Sequence, residues 1–179
     1  ILGQTLVVVV GDHGEALGER REIDHGLFLY DNTLKVPFIL HCPKHLPSGA
    51  VVEARVNLID VMPTVLEILG CDVPDFVEGK SLLPKFNDSA VNGREFTISS
   101  IPFANPGDPV RSVDNFLRML KAPTVTTITT DTYSLLYSPE PGQSRLYNLK
   151  VDPRQDKDII AEQPETAKEL HQYLVKFMR

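Results

Sequence analysis

The hydrophobic pattern opens at residues 5–10, which read TLVVVV, a continuous run of β-branched apolar residues. A run without alternation predicts a strand buried on both faces of a parallel sheet. It passes directly into Gly11-Asp12-His13-Gly14-Glu15. Residues 16–33 are polar and charge-rich, with few apolar anchors, and predict a loop with one helical turn over 27–31. Residues 36–41 (VPFILH) predict a second apolar strand, with Pro37 at its start. The turn-rich stretch 43–49 follows it. Residues 60–69 (DVMPTVLEIL) predict a helix, with Asp60 as N-cap, Pro63 in the first turn and Gly70 as the stop. Val61, Val65, Ile68 and Leu69 form its predicted buried stripe.

The texture changes after about residue 92. Segments 96–100, 124–130, 133–137 and 145–149 are rich in Thr, Val, Ile and Tyr and predict strands. Pro139-Glu140-Pro141-Gly142 separates the last two, which predicts a hairpin. Residues 166–178 predict an amphipathic helix with Ala167, Leu170, Leu174 and Phe177 on one face. The reading is therefore α/β, with residues 1–92 in an α/β core and 93–179 in a small antiparallel-sheet subdomain closed by a helix.

Composition narrows the function classes. The 179 residues carry a net charge of -6, and the pI is near 5.3. That argues against nonspecific nucleic-acid binding, which needs a basic surface. The longest unbroken apolar run, residues 6–10, is far short of the roughly 20 residues of a membrane span. Two cysteines, Cys42 and Cys71, make no disulfide scaffold. The chain enters its first strand within a few residues and reads as the C-terminal portion of a longer protein. Its compartment stays open.

Chemistry concentrates at Asp12 and His13. In open α/β sheets, ligands lie beyond the carboxyl ends of the strands. A carboxylate and an imidazole side by side there suit a divalent cation, and flanking glycines let a ligand approach closely. The plainer reading is a turn with a strand-end Asp and a surface His. Glu15 reads either as a partner orienting His13 or as a first-turn acid on a following helix, the second being favoured. Glu19, Arg20, Arg21 and Glu22 read as a solvated charge run. Cys42 and Cys71 read as small apolar residues rather than nucleophiles.

Four blocks in order carry a family resemblance. They are GDHGEALGE with His25-Gly26 and Leu29-Tyr30-Asp31; Lys35-Val36-Pro37-Phe38-Ile39; LIDVMPTVL with Gly70 and Gly79-Lys80-Ser81-Leu82; and Leu146-Tyr147-Asn148-Leu149 with Asp152-Pro153. Together they resemble the sulfatase family of the alkaline-phosphatase superfamily. The resemblance implies a three-layer α/β/α alkaline-phosphatase-like core, present in part. It implies a divalent cation, calcium first, with manganese or zinc as alternatives. Asp12 and His13 match metal ligands of the family, and His25 falls where the family contacts the anionic oxygens of the ester. The family's nucleophile, in a Cys/Ser-x-Pro-x-Arg segment, lies upstream of the Asp-His block, and His41-Cys42-Pro43-Lys44 lacks that spacing. The implied activity is metal-dependent hydrolysis of a sulfuric ester, on a small-molecule or glycan substrate, with this chain alone inactive. Two alternatives stand beside it. One is phosphoester or phosphonoester hydrolysis, or phosphoryl transfer, on the same fold. The other is a non-catalytic truncated remnant.

Overall fold

The structure, a computed structural model, describes residues 1–19, 23–24, 29–87, 93–101 and 125–177. In chain order the elements are β1 (Val7–Val10), β2 (Ala16–Leu17), β3 (Ile23–Asp24), α1 (Asp31–Leu34), β4 (Phe38–His41), α2 (Val61–Ile68), α3 (Leu83–Asn87), β5 (Thr97–Ile101), β6 (Val125–Thr129), β7 (Tyr133–Tyr137), β8 (Arg145–Asn148) and α4 (Pro164–Phe177). They form two compact units. One comprises Ile1–His13 and Val36–Thr97; the other comprises Gly14–Lys35 and Ile98–Arg179. The contacts thus divide the chain at 97/98 and group 14–35 with the C-terminal half, whereas the sequence reading divides it near residue 92.

In the first unit β1 pairs with β4, antiparallel, with Val9 opposite Ile39 and Val10 opposite Phe38. This corrects the expectation of a parallel pairing buried on both faces. Val9 is 51% exposed and Ile39 58% exposed. An apolar run states what a strand tolerates, not the direction of its partner. Burial on both faces needs a layer on each, and among the described residues β1 has only β4 as a strand neighbour.

α2 ends as its sequence predicts. Gly70 takes φ +69°, a left-handed conformation that costs glycine little. Its N–H donates to the Glu67 carbonyl, and the Cys71 N–H donates to the Leu66 carbonyl, the paired bonds of a Schellman stop. The start of α2 and its buried face differ from expectation. Pro63, Thr64 and Ile68 are buried, whereas Leu69 is exposed. The face is chosen by Thr64, whose Oγ1 donates to the Asp60 carbonyl at 2.6 Å and accepts from the Leu82 N–H at 3.0 Å.

Asp60 is no side-chain cap of α2. It sits in the tight turn Leu58–Asp60 and is 1% exposed. Its carboxylate accepts from the Asn57 N–H at 2.9 Å, the Lys80 N–H at 2.8 Å and the Arg94 guanidinium at two positions. Burial alone pushes this carboxyl up. The Arg94 bonds, the two backbone N–H groups and the Arg94 charge outweigh burial and hold it below its ordinary value.

The second unit is built on the sheet β5-β6-β7-β8. Within it β6 pairs antiparallel with β7, and β7 with β8. The predicted strands and the hairpin between β7 and β8 are present. Registers place Ile128, Leu135, Leu146 and Tyr137 on one face and Thr127, Thr129, Ser134, Leu136 and Tyr147 on the other. The first face meets α4, whose Leu170 and Leu174 are buried; His171 stacks on Tyr137 with ring centroids 4.5 Å apart. Phe177, expected on the buried stripe, is exposed, because α4 packs through its middle turns. The second face is covered by Leu29 and Tyr30. Thr127 Oγ1 donates to the Leu29 carbonyl at 3.1 Å, and Tyr30 meets Tyr147 edge-to-face at 5.8 Å. With both faces covered, the buried hydroxyls on β6 and β7 need partners, and Thr129 and Ser134 supply one another at 3.3 Å.

Candidate functional site

The end of β1 sets the site. The Gly11 N–H donates to the Pro37 carbonyl at 3.2 Å, extending the β1–β4 ladder by one residue. Asp12 and His13 follow at once. The His13 N–H donates to Asp12 Oδ1 at 3.0 Å, which folds the carboxylate back over the turn. Asp12 Oδ2 then lies 3.8 Å from His13 Nε2, with the two side chains 92% and 43% exposed. The strand fixes the backbone, and the side chains point into solvent.

The next residue is fastened from its own side. The Gly14 N–H donates to the Thr33 carbonyl of α1 at 2.8 Å. A Cβ on Gly14 would overlap the Asn32 carbonyl oxygen, so only glycine allows this approach. α1 forms over Asp31–Leu34; of the turn expected over 27–31, residues 27 and 28 lie outside the described residues. Glu15 precedes β2 and not a helix, which removes the first-turn-acid reading; β2 pairs antiparallel with β3.

An oxygen and an imidazole nitrogen converging from adjacent residues fit a divalent cation as part of its shell. Calcium takes about 6–8 oxygen ligands and zinc about four ligands of mixed type. Among the described residues no group of three or more His, Cys, Asp or Glu side chains gathers; Asp12 and His13 could offer two donors of such a shell. His25, Arg20, Arg21 and Glu22 lie outside the described residues. Cys42 is half-buried at the end of β4, and Cys71 is exposed after α2. Among the described residues, no hydrogen bond places either beside the Asp12–His13 turn. Among the described residues no helix is long and apolar enough to cross a membrane.

Sequence reasoning singled out Asp12 and His13 as candidates but missed what fastens the residue after them. Gly14 was legible only as a flanking glycine. The contribution of Thr33 is a main-chain carbonyl, which no side-chain pattern announces.

Comparison with known proteins finds relatives of this architecture. The family described as N-sulphoglucosamine sulphohydrolase, C-terminal, matches residues 18–98. Arylsulfatase K of Rattus norvegicus is 27% identical over 174 residues, 97% of this chain and 30% of that protein. A protein solved in complex with its substrate, D-glucosamine-2-N,6-O-disulfate, superposes with a TM-score of 0.76 at 25% identity, over 97% of this chain and 34% of its own. A phosphonate monoester hydrolase from Silicibacter pomeroyi superposes with a TM-score of 0.74 at 28% identity, over 98% and 34%. The chain is similar to members of the sulfatase family. Its fold is the alkaline-phosphatase-like α/β fold, in part, with the small antiparallel sheet and terminal helix expected from the sequence. It spans about a third of the length of these relatives.

Proposed function

We propose that the chain serves a metal-dependent hydrolase of sulfuric esters acting on a sulfated sugar. The observation that carries this reading is the Asp12–His13 pair, presented to solvent at the carboxyl end of β1 in a chain similar to sulfatases. The match to a protein whose substrate is a doubly sulfated glucosamine supports a glycan sulfate ester over an unrelated small molecule.

Asp12 and His13 would hold the cation, calcium by preference and manganese or zinc otherwise. A bound cation polarises the ester oxygens and holds a nucleophile at neutral pH. His25 would stabilise the anionic oxygens as charge develops on them. The nucleophile is assigned to a segment outside this sequence, because neither cysteine here has the spacing or setting of one.

The 28% identity to a phosphonate monoester hydrolase supports a second reading, in which the same site hydrolyses a phosphorus ester. Tetrahedral sulfur and phosphorus anions make similar demands on such a site. The test uses the complete polypeptide encoded with this chain, assayed on an aryl sulfate, N-sulfated glucosamine and an aryl phosphonate. Sulfate release that disappears in Asp12→Ala and His13→Ala, with loss of bound metal, is the expected result. Phosphonate turnover without sulfate turnover selects the second reading. Full metal occupancy in both variants sinks the ligand assignment.

A further inference from the structure

Within the second unit, α1 is capped from outside itself. Asp31 opens the turn, and Tyr30 before it makes no side-chain capping bond. The first N–H groups of a helix have no partner inside it. The Asp31 N–H donates instead to Gln155 Oε1 at 2.9 Å, across 124 residues. Gln155 is 2% exposed and occupies the bend after β8, where its N–H donates to the Asp152 carbonyl at 3.0 Å. Among the described non-glycine residues it alone has a positive φ, +58°. Side chains are disfavoured in that conformation, where glycine or asparagine usually sits. Such strain persists only where the surroundings impose it, and here they use the side chain.

A single turn fixes several backbone dihedrals for very little hydrogen bonding, so α1 needs support from outside. Residues 29–35 are fastened to the second face of the four-stranded sheet at three points. Thr127 Oγ1 donates to the Leu29 carbonyl, Tyr147 meets Tyr30 edge-to-face, and Gln155 caps Asp31. What this segment covers differs from what α4 covers. α4 lies on Ile128, Leu135 and Leu146, pure hydrocarbon that gains by leaving water. Under residues 29–35 lie Thr127, Thr129, Ser134 and Tyr147, with Leu136. A hydroxyl gains little by burial, because it trades a water partner for a protein one. One face of the sheet is therefore a lasting core, and the other can be wetted.

We infer that residues 29–35 are a strap that opens from the sheet as a unit while the sheet and α4 stay folded, with Gln155 as its latch. Closed, the strap keeps the hydroxyl-bearing face dry. Open, it leaves that face to water and frees the segment to move. Parts of a fold that move in function are drawn from such low-stability elements. The strap stands whether or not Asp12 and His13 hold a cation.

The test is amide hydrogen exchange of the complete polypeptide encoded with this chain, read by mass spectrometry on peptides covering 29–35, 133–137 and 164–177. Gln155→Gly suits the left-handed backbone and lacks the acceptor, so it does not fail through strain. Gln155→Met keeps the side-chain length and lacks the acceptor. In the wild type, 29–35 should exchange faster than 133–137, because its Thr33, Leu34 and Lys35 N–H groups bond only within the turn's own carbonyls, Tyr30 and Asp31. Both variants should quicken exchange of 29–35 about 10-fold, the loss of one helix cap, with the other two peptides unchanged. Nitration of Tyr147 by tetranitromethane should rise with it, since this buried ring is reached when the strap opens. Unchanged exchange of 29–35 in both variants overturns the latch. Equal exchange of 29–35 and 133–137 in the wild type, or acceleration of all three peptides together, overturns independent opening. Faster exchange of 29–35 with unchanged Tyr147 nitration also overturns the strap, because the turn would then fray without leaving the sheet.

Discussion

Replacing Arg94 by Met tests whether the Asp60 cluster holds the first unit together. Asp60 is almost wholly buried, and its four hydrogen bonds come from two backbone N–H groups and two positions on Arg94. Arg94→Met removes the charge and half of the bonds while keeping an apolar stem. The carboxylate then stays buried with two N–H donors and no counter-charge. Removing one partner of a buried ion pair costs about 3–5 kcal/mol. The Arg94 side chain is 21% exposed, so water recovers part of the loss and about 3 kcal/mol is expected. For a chain of this size that corresponds to a fall in Tm of about 6–12 °C. The pH dependence has a defined sign. The folded Asp60 carboxyl lies below its unfolded value near 3.8, so its stabilisation is present above that pH and is lost as pH falls through the folded value. The gap between wild type and Arg94→Met should be full at pH 7 and shrink at pH 3. Urea melts at both pH values give the two gaps. A gap at pH 7 under about 0.5 kcal/mol, the usual scatter of a surface substitution, would refute the clamp, as would a gap that is the same at both pH values.

Two further substitutions probe other parts of the argument. Gly14→Ala should cost about 1–3 kcal/mol, as overpacking does, because its Cβ meets the Asn32 carbonyl and a backbone oxygen has little room to yield; calorimetric unfolding reports the loss. Leu146→Ala removes a fully buried side chain opposite Leu135 and should cost about 2–5 kcal/mol, read as a lower urea midpoint at unchanged slope.

How much of this the sequence discloses depends on how local each determinant is. The strands at 124–130, 133–137 and 145–149 were legible because β-branched runs and a Pro-Gly turn are local signals, and hairpin partners are neighbours. α4 was legible within two residues at its start, where Pro164 takes the first helical position. The direction of the β1–β4 pairing was not, because its two strands lie 27 residues apart and an apolar run has no polarity. The buried face of α2 was misread because a hydroxyl on Thr64 takes the Leu82 N–H, a bond across 18 residues. Asp60 carried a strong cap signal, and Arg94, 34 residues on, claimed its carboxylate. The Asp12–His13 turn stood out as a candidate because its residues are adjacent; the hydrogen bond between Gln155 and Asp31 did not, since 124 residues separate its partners.

Asp12 and Asp60 are the same residue at comparable places, each beside the end of a regular element, and the structure gives them opposite physics. Asp60 is surrounded by donors whose hydrogen bonds outweigh burial, so its carboxylate is committed to the fold. Asp12 is 92% exposed with an imidazole 3.8 Å away that is charged only when protonated. Exposed pairs of this kind contribute about 0–1 kcal/mol, so stability alone gives a folded chain little reason to hold a carboxylate and a histidine together beyond a strand. A cation bound as proposed would change that balance, because it would add a positive charge beside the carboxylate and take an imidazole lone pair. The contrast separates a carboxylate used for architecture from one exposed to solvent by what surrounds each, and the proposed chemistry is given to the exposed one, Asp12.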